Sequence, residues 1–173
     1  MKGESSLEML LQQAMGLYDV RNIEPFLYDN NECVRMSAAR KIQLYGGEWG
    51  FCLAKQMLHS KKPMIRGIAL YILGQIKGGN PPFSRQSVPI LIHFLEKDKS
   101  PDVRGEAAAA LGHVSDKSSV MSLVRASMDN NDEVRASVAA ALRSGFQSYP
   151  LAMDTLEKLK HDKSKKVRYW AED

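Results

Sequence analysis

Apolar residues recur along this chain at the spacing of an amphipathic helix, and the recurrences come in matched sets. Val34, Ala38 and Ile42 form one stripe; Ile65, Ala69 and Leu73, then Val103, Ala107 and Leu111, then Val134, Val138 and Leu142 repeat it. An arginine follows the first member each time, at Arg35, Arg66, Arg104 and Arg135, and again at Arg168 after Val167. These arginines stand 31, 38, 31 and 33 residues apart. Six residues ahead of each lies Asp29, Ser60, Asp98, Asp129 or Asp162. Self-similarity at such a period predicts an array of small equivalent units.

Between these helices runs a second apolar segment, predicted as helical over Val20–Tyr28, Trp49–His59, Ser87–Lys97, Ser119–Met128 and Leu151–Lys160. Each unit is then a loop, a helix A carrying the arginine, a turn and a helix B. One such hairpin cannot bury its own apolar face, so stacking on neighbours must close the core. Asn30-Asn31, Lys99-Ser100-Pro101 and Asp129-Asn130-Asn131 supply caps and turn chemistry ahead of the A helices. Gly46-Gly47 reads as a helix stop with a left-handed residue, and Gly78-Gly79-Asn80-Pro81-Pro82 accounts for the longest spacing and is a candidate contact loop. Asp19-Val20-Arg21 imitates the motif, but Pro25 follows and the small residues are missing. Residues 1–28 are expected to cap the array, with Ser5 or Ser6 as N-cap. Repeats follow over 29–59, 60–97, 98–128 and 129–161, with 162–173 as a half-repeat cap whose Glu172-Asp173 ending is polar.

The shared pattern, Asp-x-x-x-x-Val-Arg-x-x-Ala-x-x-x-Leu-Gly, stands clearest from Asp98 to Gly112 and nearly as well from Asp129 to Leu142. It resembles the HEAT-repeat family, and more narrowly its short, phycobilisome-lyase-type form, over about residues 19 to 173. Gln43 and Arg143 depart from the glycine position and Ser60 from the aspartate. The resemblance implies an all-α fold, a right-handed α-α superhelix of about five helical hairpins. It also implies that the Asp and Arg bond between neighbouring units and that the B helices line the concave, partner-binding side.

Composition narrows the function more than it names it. With 173 residues, 44% hydrophobic and 25% charged, the chain reads as one globular domain. A net charge of +4 permits acidic partners without requiring nucleic acid. No apolar run approaches the ~20 residues that span a bilayer. Met1-Lys2-Gly3-Glu4-Ser5-Ser6 lacks a signal-peptide core, so a cytoplasmic monomer without membrane contact is expected. Cys33 and Cys52 lie in helical patterns without Cys-x-x-Cys spacing and are expected reduced and partly buried.

No catalytic constellation is apparent. His59, His93, His113 and His161 are scattered and none precedes a Glu, so the paired His-Glu motif of the HEAT-like metal-dependent hydroxylases is missing. His93 and Glu96 alone are weak evidence for metal, and Gly78-Gly79 leads into Pro-Pro rather than a phosphate loop. No catalytic residue, cofactor or metal is expected.

With Val88, Leu91, Ile92 and Leu95 as the buried stripe of one B helix, Ile90, His93 and Phe94 face outward; Phe51 and Lys55, and Met121 and Arg125, are the equivalents in the flanking units. These seven are the expected partner-binding residues, being of the aromatic, Met and Arg kinds that anchor interfaces. The expected function is a non-catalytic scaffold gripping another protein, its most concrete form a bacterial toxin-neutralising immunity protein facing a toxin domain. The alternative is a nucleic-acid binder, or an enzyme resembling the HEAT-like alkylpurine DNA glycosylases, which needs a basic groove with aromatics and a central carboxylate. Lys158, Lys160, Lys163, Lys165, Lys166 and Arg168 beside Tyr169 and Trp170 are its main support. A chromophore-lyase-like role follows from the repeat subtype alone.

Overall fold

A computed structural model describes residues 2–172, with side chains from Met9 onward. Its regular elements are all helical among the described residues. The A helices are α2 (Glu32–Tyr45), α4 (Pro63–Gln75), α6 (Pro101–Val114), α8 (Asp132–Gly145) and α10 (Lys165–Ala171). Each of the first four is followed by a B helix: α3 (Gly47–Met57), α5 (Phe83–Lys97), α7 (Val120–Ala126) and α9 (Pro150–Leu159). Ahead of them stand α1 (Lys2–Gly16) and a 3-10 stretch, Val20–Tyr28. Helix α1 begins ahead of Ser5 and Ser6, whose side chains lie outside the described set.

The chain's local chemistry explains these boundaries. Asn31 and Asn131 cap α2 and α8 by accepting from the backbone N–H groups of Cys33 and Glu133. Gly47 takes φ +53 between α2 and α3, as a left-handed stop requires. Val20–Tyr28 is 3-10 rather than α because Pro25 sits inside it, removing a donor. Helix α5 begins at Phe83, ahead of the expected Ser87, because the insertion loop folds back: the Phe83 N–H donates to the Gly78 carbonyl at 2.9 Å. The Lys41 ammonium, reaching from α2, donates to the carbonyls of Met15 at 2.7 Å and Tyr18 at 2.8 Å. It thereby caps the C-terminal end of α1 and ties that helix to the array.

One apolar seam runs through every hairpin. Ala38, Ala69, Ala107 and Val138 are fully buried, as are Ile42, Leu73, Leu111 and Leu142 at the next turn of each A helix. The two layers are not equally spaced. Successive A helices α4, α6 and α8 pack most extensively, whereas successive B helices barely touch. The close approach has a residue-level cause: a Cβ on Gly74 would lie 2.6 Å from that of Ala110, and one on Gly112 would lie 2.8 Å from the Cα of Ala141. Small residues thus let A-helix backbones come together. A two-layer array curves toward its tighter layer, so the A helices form the inner face. The expectation that B helices line the concave side is thereby reversed.

The repeated arginines and aspartates form a ladder. Arg66 makes a bidentate pair with Asp98 (Nε to Oδ2 2.7 Å), Arg104 with Asp129 (2.8 Å) and Arg135 with Asp162 (2.7 Å). The other terminal nitrogen of each arginine donates to a carbonyl of its own loop, at Ser60, Asp98 and Asp129. Each of these aspartates also accepts a backbone N–H two residues on, at Ser100, Asn131 and Ser164. One rung therefore fixes the loop, the start of a helix and the stacking of the next unit. Burial pushes the Asp98 and Asp129 carboxyls up, yet the arginine and backbone bonds outweigh it and hold both below the usual range. Ser60 offers no carboxylate, and Arg35 is left with the carbonyls of Asp29 and Asn30.

Candidate functional site

With the repeating residues committed to seam and ladder, the residues that differ between units gather on two faces. The outer, B-helix face holds the residues expected to bind a partner. Lys55, Ile90, His93 and Phe94 surround one groove between α3 and α5, with Lys55 and His93 exposed and Ile90 and Phe94 half-buried. Phe51 is a correction. It is 8% exposed and stacks on Phe83 with ring centroids 4.8 Å apart, because the insertion loop delivers that second ring over it. The Lys55 ammonium lies over the Phe51 ring, 5.4 Å from its centroid. Met121 is well exposed, but on α7 and outside this groove. Arg125 is exposed and already engaged: its guanidinium pairs with Glu96, which also accepts from Ser122 at 2.8 Å. Glu96 is thereby spoken for, and among the described residues no group of three His, Cys, Asp or Glu could hold a metal ion. Cys33 is half-buried and Cys52 exposed, so the expectation of partial burial fails for Cys52, which rims the α3–α5 groove.

The inner face was not among the expected sites. Two residues before Arg66, Arg104, Arg135 and Arg168 stand Met64, Asp102, Glu133 and Lys166, all exposed. Two residues after the same four stand Ile68, Glu106, Ser137 and Trp170, and five after Arg35, Arg66, Arg104 and Arg135 stand Arg40, Tyr71, Ala109 and Ala140. These positions fall one or two turns apart on one side of each A helix. The resulting strip is bulky and apolar at Met64 and Tyr71, acidic at Asp102 and Glu106, small at Ala109, Ser137 and Ala140, and aromatic again at Trp170, over which Arg143 lies at 5.7 Å. The signal was legible in principle, since these positions vary from unit to unit while those beside them do not.

A groove of about 250 Å³ crosses α2, α4 and α6 on this strip. Met36, Met64 and Tyr71 line it as apolar walls, and Glu32, Asp102 and Glu106 bring three carboxylates. Burial pushes the Glu106 carboxyl up to about 7. Burial likewise raises the Tyr71 hydroxyl, with Arg40 opposing and Glu106 adding to the shift. Arg35 also lines the groove, but its bonded terminal nitrogen turns to its own loop. The basic C-terminal cluster is partly neutralised in place, Lys166 by Glu133 and Lys160 by Glu157, while Arg168 donates to the Asp162 and Lys163 carbonyls.

Comparison with known proteins places this geometry. The HEAT repeats family profile matches residues 88–173. Protein YibA of Escherichia coli is 26% identical over 178 residues, covering 82% of this chain. The chain spans 64% of the length of that curated relative. The crystal structure of YibA superposes with a TM-score of 0.59 at 24% identity, over 98% of this chain and 72% of that one. The complex of CpcE and CpcF of phycocyanin lyase from Nostoc sp. gives a TM-score of 0.70 at 20% identity, over 88% of this chain and 95% of that one. An engineered protein gives 0.60 at 19% identity, over 95% and 81%. At these identities the solved structures establish the fold. No helix among the described residues is long and apolar enough to cross a membrane. The repeated residues and the comparisons meet in one assignment: the chain folds as an α-α superhelix of helical hairpins, and its residues 88–173 match HEAT repeats.

Proposed function

We propose that this chain is a non-catalytic scaffold that holds one protein partner against the inner, A-helix face of its array. The observation that carries the reading is the division of labour along each A helix. Residues that recur are spent on the seam and the Arg–Asp ladder, and residues that differ point into one continuous strip. A rigid frame with a variable strip is what a dedicated binder needs, since affinity depends on anchors held in place before contact. The complex of CpcE and CpcF is a protein–protein assembly built on a similar fold, which is in keeping with this reading. Its finer form is a toxin-neutralising protein acting inside the cell, supported by an array whose differing residues form a surface for another protein.

A nucleic-acid partner fits the strip less well. A phosphate backbone seeks Lys and Arg, whereas the groove brings Glu32, Asp102 and Glu106 together. The carboxylate that a glycosylase-like site would want is present at Glu106, but in an acidic rather than a basic groove.

Photo-crosslinking tests the reading. A crosslinker replacing Ala109 on the inner strip should capture a single protein from extract of the source cells at one-to-one stoichiometry. The same group replacing Met121 on the outer face should capture far less. Equal capture from both faces, or capture of nucleic acid from the inner one, would overturn it.

A further inference from the structure

Resting on the reading just given, the geometry points to the chemistry of the partner: we propose that the groove formed by Glu106, Asp102, Glu32, Met36, Met64 and Tyr71 seats a lysine or arginine carried on an apolar segment of the partner protein. Glu106 is a half-buried carboxyl pushed up by burial; no hydrogen bond or ion pair to it is found among the described residues. A carboxylate withdrawn from water without a cation is unfavourable, and a cation delivered by a partner removes that penalty at the moment of binding.

The surroundings match such a guest. Asp102 and Glu32 add negative charge in a chain whose net charge is +4, so the groove is a local acidic exception. Arg40 beside Tyr71 lies exposed, and Arg35 bonds back to Asp29 and Asn30. Met36, Met64 and the Tyr71 ring form walls suited to the aliphatic stem of a long cationic side chain and to its apolar neighbours. A Tyr face also attracts a cation. Gly67 lies on the groove and a Cβ added to it would meet nothing within 4 Å, which leaves room for the partner's backbone to come close.

The test uses the full chain and a synthetic peptide of about 14 residues with leucine and lysine at helical spacing. It is read by fluorescence anisotropy against the same peptide with every lysine replaced by glutamine. The basic peptide should bind at least 10-fold more tightly than the neutral one, a difference on the scale of one relieved buried charge. The substitution Glu106→Gln should remove that preference without lowering the circular dichroism melt. Glu48→Gln, on an exposed position of α3, should leave the preference unchanged. Equal binding of both peptides, or an unchanged preference in Glu106→Gln, would overturn the proposal. Preferential uptake of spermine or duplex DNA over the peptide would also overturn it. If crosslinking at position 109 still captures a protein while Glu106→Gln changes nothing, the cationic anchor falls and the scaffold reading stands.

Discussion

Gly112 of α6 faces Ala141 of α8 with no room for a side chain between them: a Cβ on the glycine would lie 2.8 Å from the Cα of Ala141 and 2.9 Å from its Cβ. In an open helix, Gly→Ala is favourable by about 1 kcal/mol. Here the obstacle is backbone, which cannot rotate away, and overpacking of this kind costs about 1–3 kcal/mol. Gly112→Ala should therefore lower stability despite its better helix propensity, and Gly112→Val should lower it further. Urea denaturation with an unchanged m-value is the measurement. A more stable Gly112→Ala variant would contradict the close-packed inner layer.

The same exchange at Gly67 should have the opposite sign. That residue lies within α4 but faces open space, so an added methyl meets nothing within 4 Å. Gly67→Ala should stabilise the fold by about 0.5–1 kcal/mol through the unfolded chain and helix propensity. A rise in Tm at Gly67 and a fall at Gly112, from one chemical change, would separate the two environments.

The ladder offers a matched pair of perturbations. Arg104 and Asp129 are 18% and 14% exposed, and Asp129 also accepts the Asn131 N–H. Asp129→Ala strands a half-buried guanidinium and removes that turn contact. The expected loss is about 2–3 kcal/mol, below the ~3–5 of a fully buried pair. Arg104→Lys should recover little of the pair's value, because an ammonium cannot reproduce the two-pronged contact. Chemical denaturation of the two variants measures both.

The missing rung can be supplied. Ser60 stands where the other junctions have aspartate, and Arg35 bonds the Asp29 and Asn30 carbonyls, both at 2.8 Å. Ser60→Asp should give Arg35 a carboxylate and stabilise the α2–α4 junction by about 0.5–1 kcal/mol. Hydrogen exchange should slow in α2 more than in α8. An unchanged melt would mean that the first junction is set differently from the others.

How much of this was readable in the sequence depends on the range of the interaction. The stripe at Val103, Ala107 and Leu111 is a local pattern on one helix, and the Arg–Asp spacing repeats often enough to declare a junction before any coordinate is known. The curvature was not readable in the same way. It depends on how closely neighbouring helices approach, which Gly74, Gly112 and their alanine partners decide only once the units are stacked. Gln43 and Arg143 stand at the same helical position but carry polar side chains: Gln43 donates to the Gln75 side-chain oxygen at 3.2 Å, and Arg143 to the Glu172 carbonyl at 2.6 Å. The repeat pattern alone places Phe51 on the surface, because its cover, Phe83, arrives from an insertion that the pattern does not describe. The inner strip is written in the sequence as variation on the A helices, where Met64, Asp102, Glu133 and Lys166 differ as much as the B-helix residues do, but which face they share depends on the stacking.

Glu106 makes stability depend on pH in a direction opposite to that of the ladder. Its carboxyl is raised from 4.5 to about 7 by burial, so the folded chain holds a proton that the unfolded chain releases above 4.5. Where the folded state binds more protons, stability falls as pH rises. The loss runs from about pH 4.5 to about 7 and is complete above that. It amounts to a penalty on the order of 2 kcal/mol after allowing for partial exposure. The ladder works the other way: Asp98, Asp129 and Asp162 have lowered values, so their contribution is present above the ordinary value of 3.8 and is lost as acid protonates them in the fold. A maximum between the two windows follows. Glu106→Gln should leave the acid limb in place and flatten the neutral one, making the variant more stable than the parent at pH 8 but not at pH 4.5. Urea midpoints from pH 3 to 9 measure both limbs, and a parent chain whose stability rises steadily from pH 5 to 8 would place the Glu106 carboxylate in water rather than in the groove.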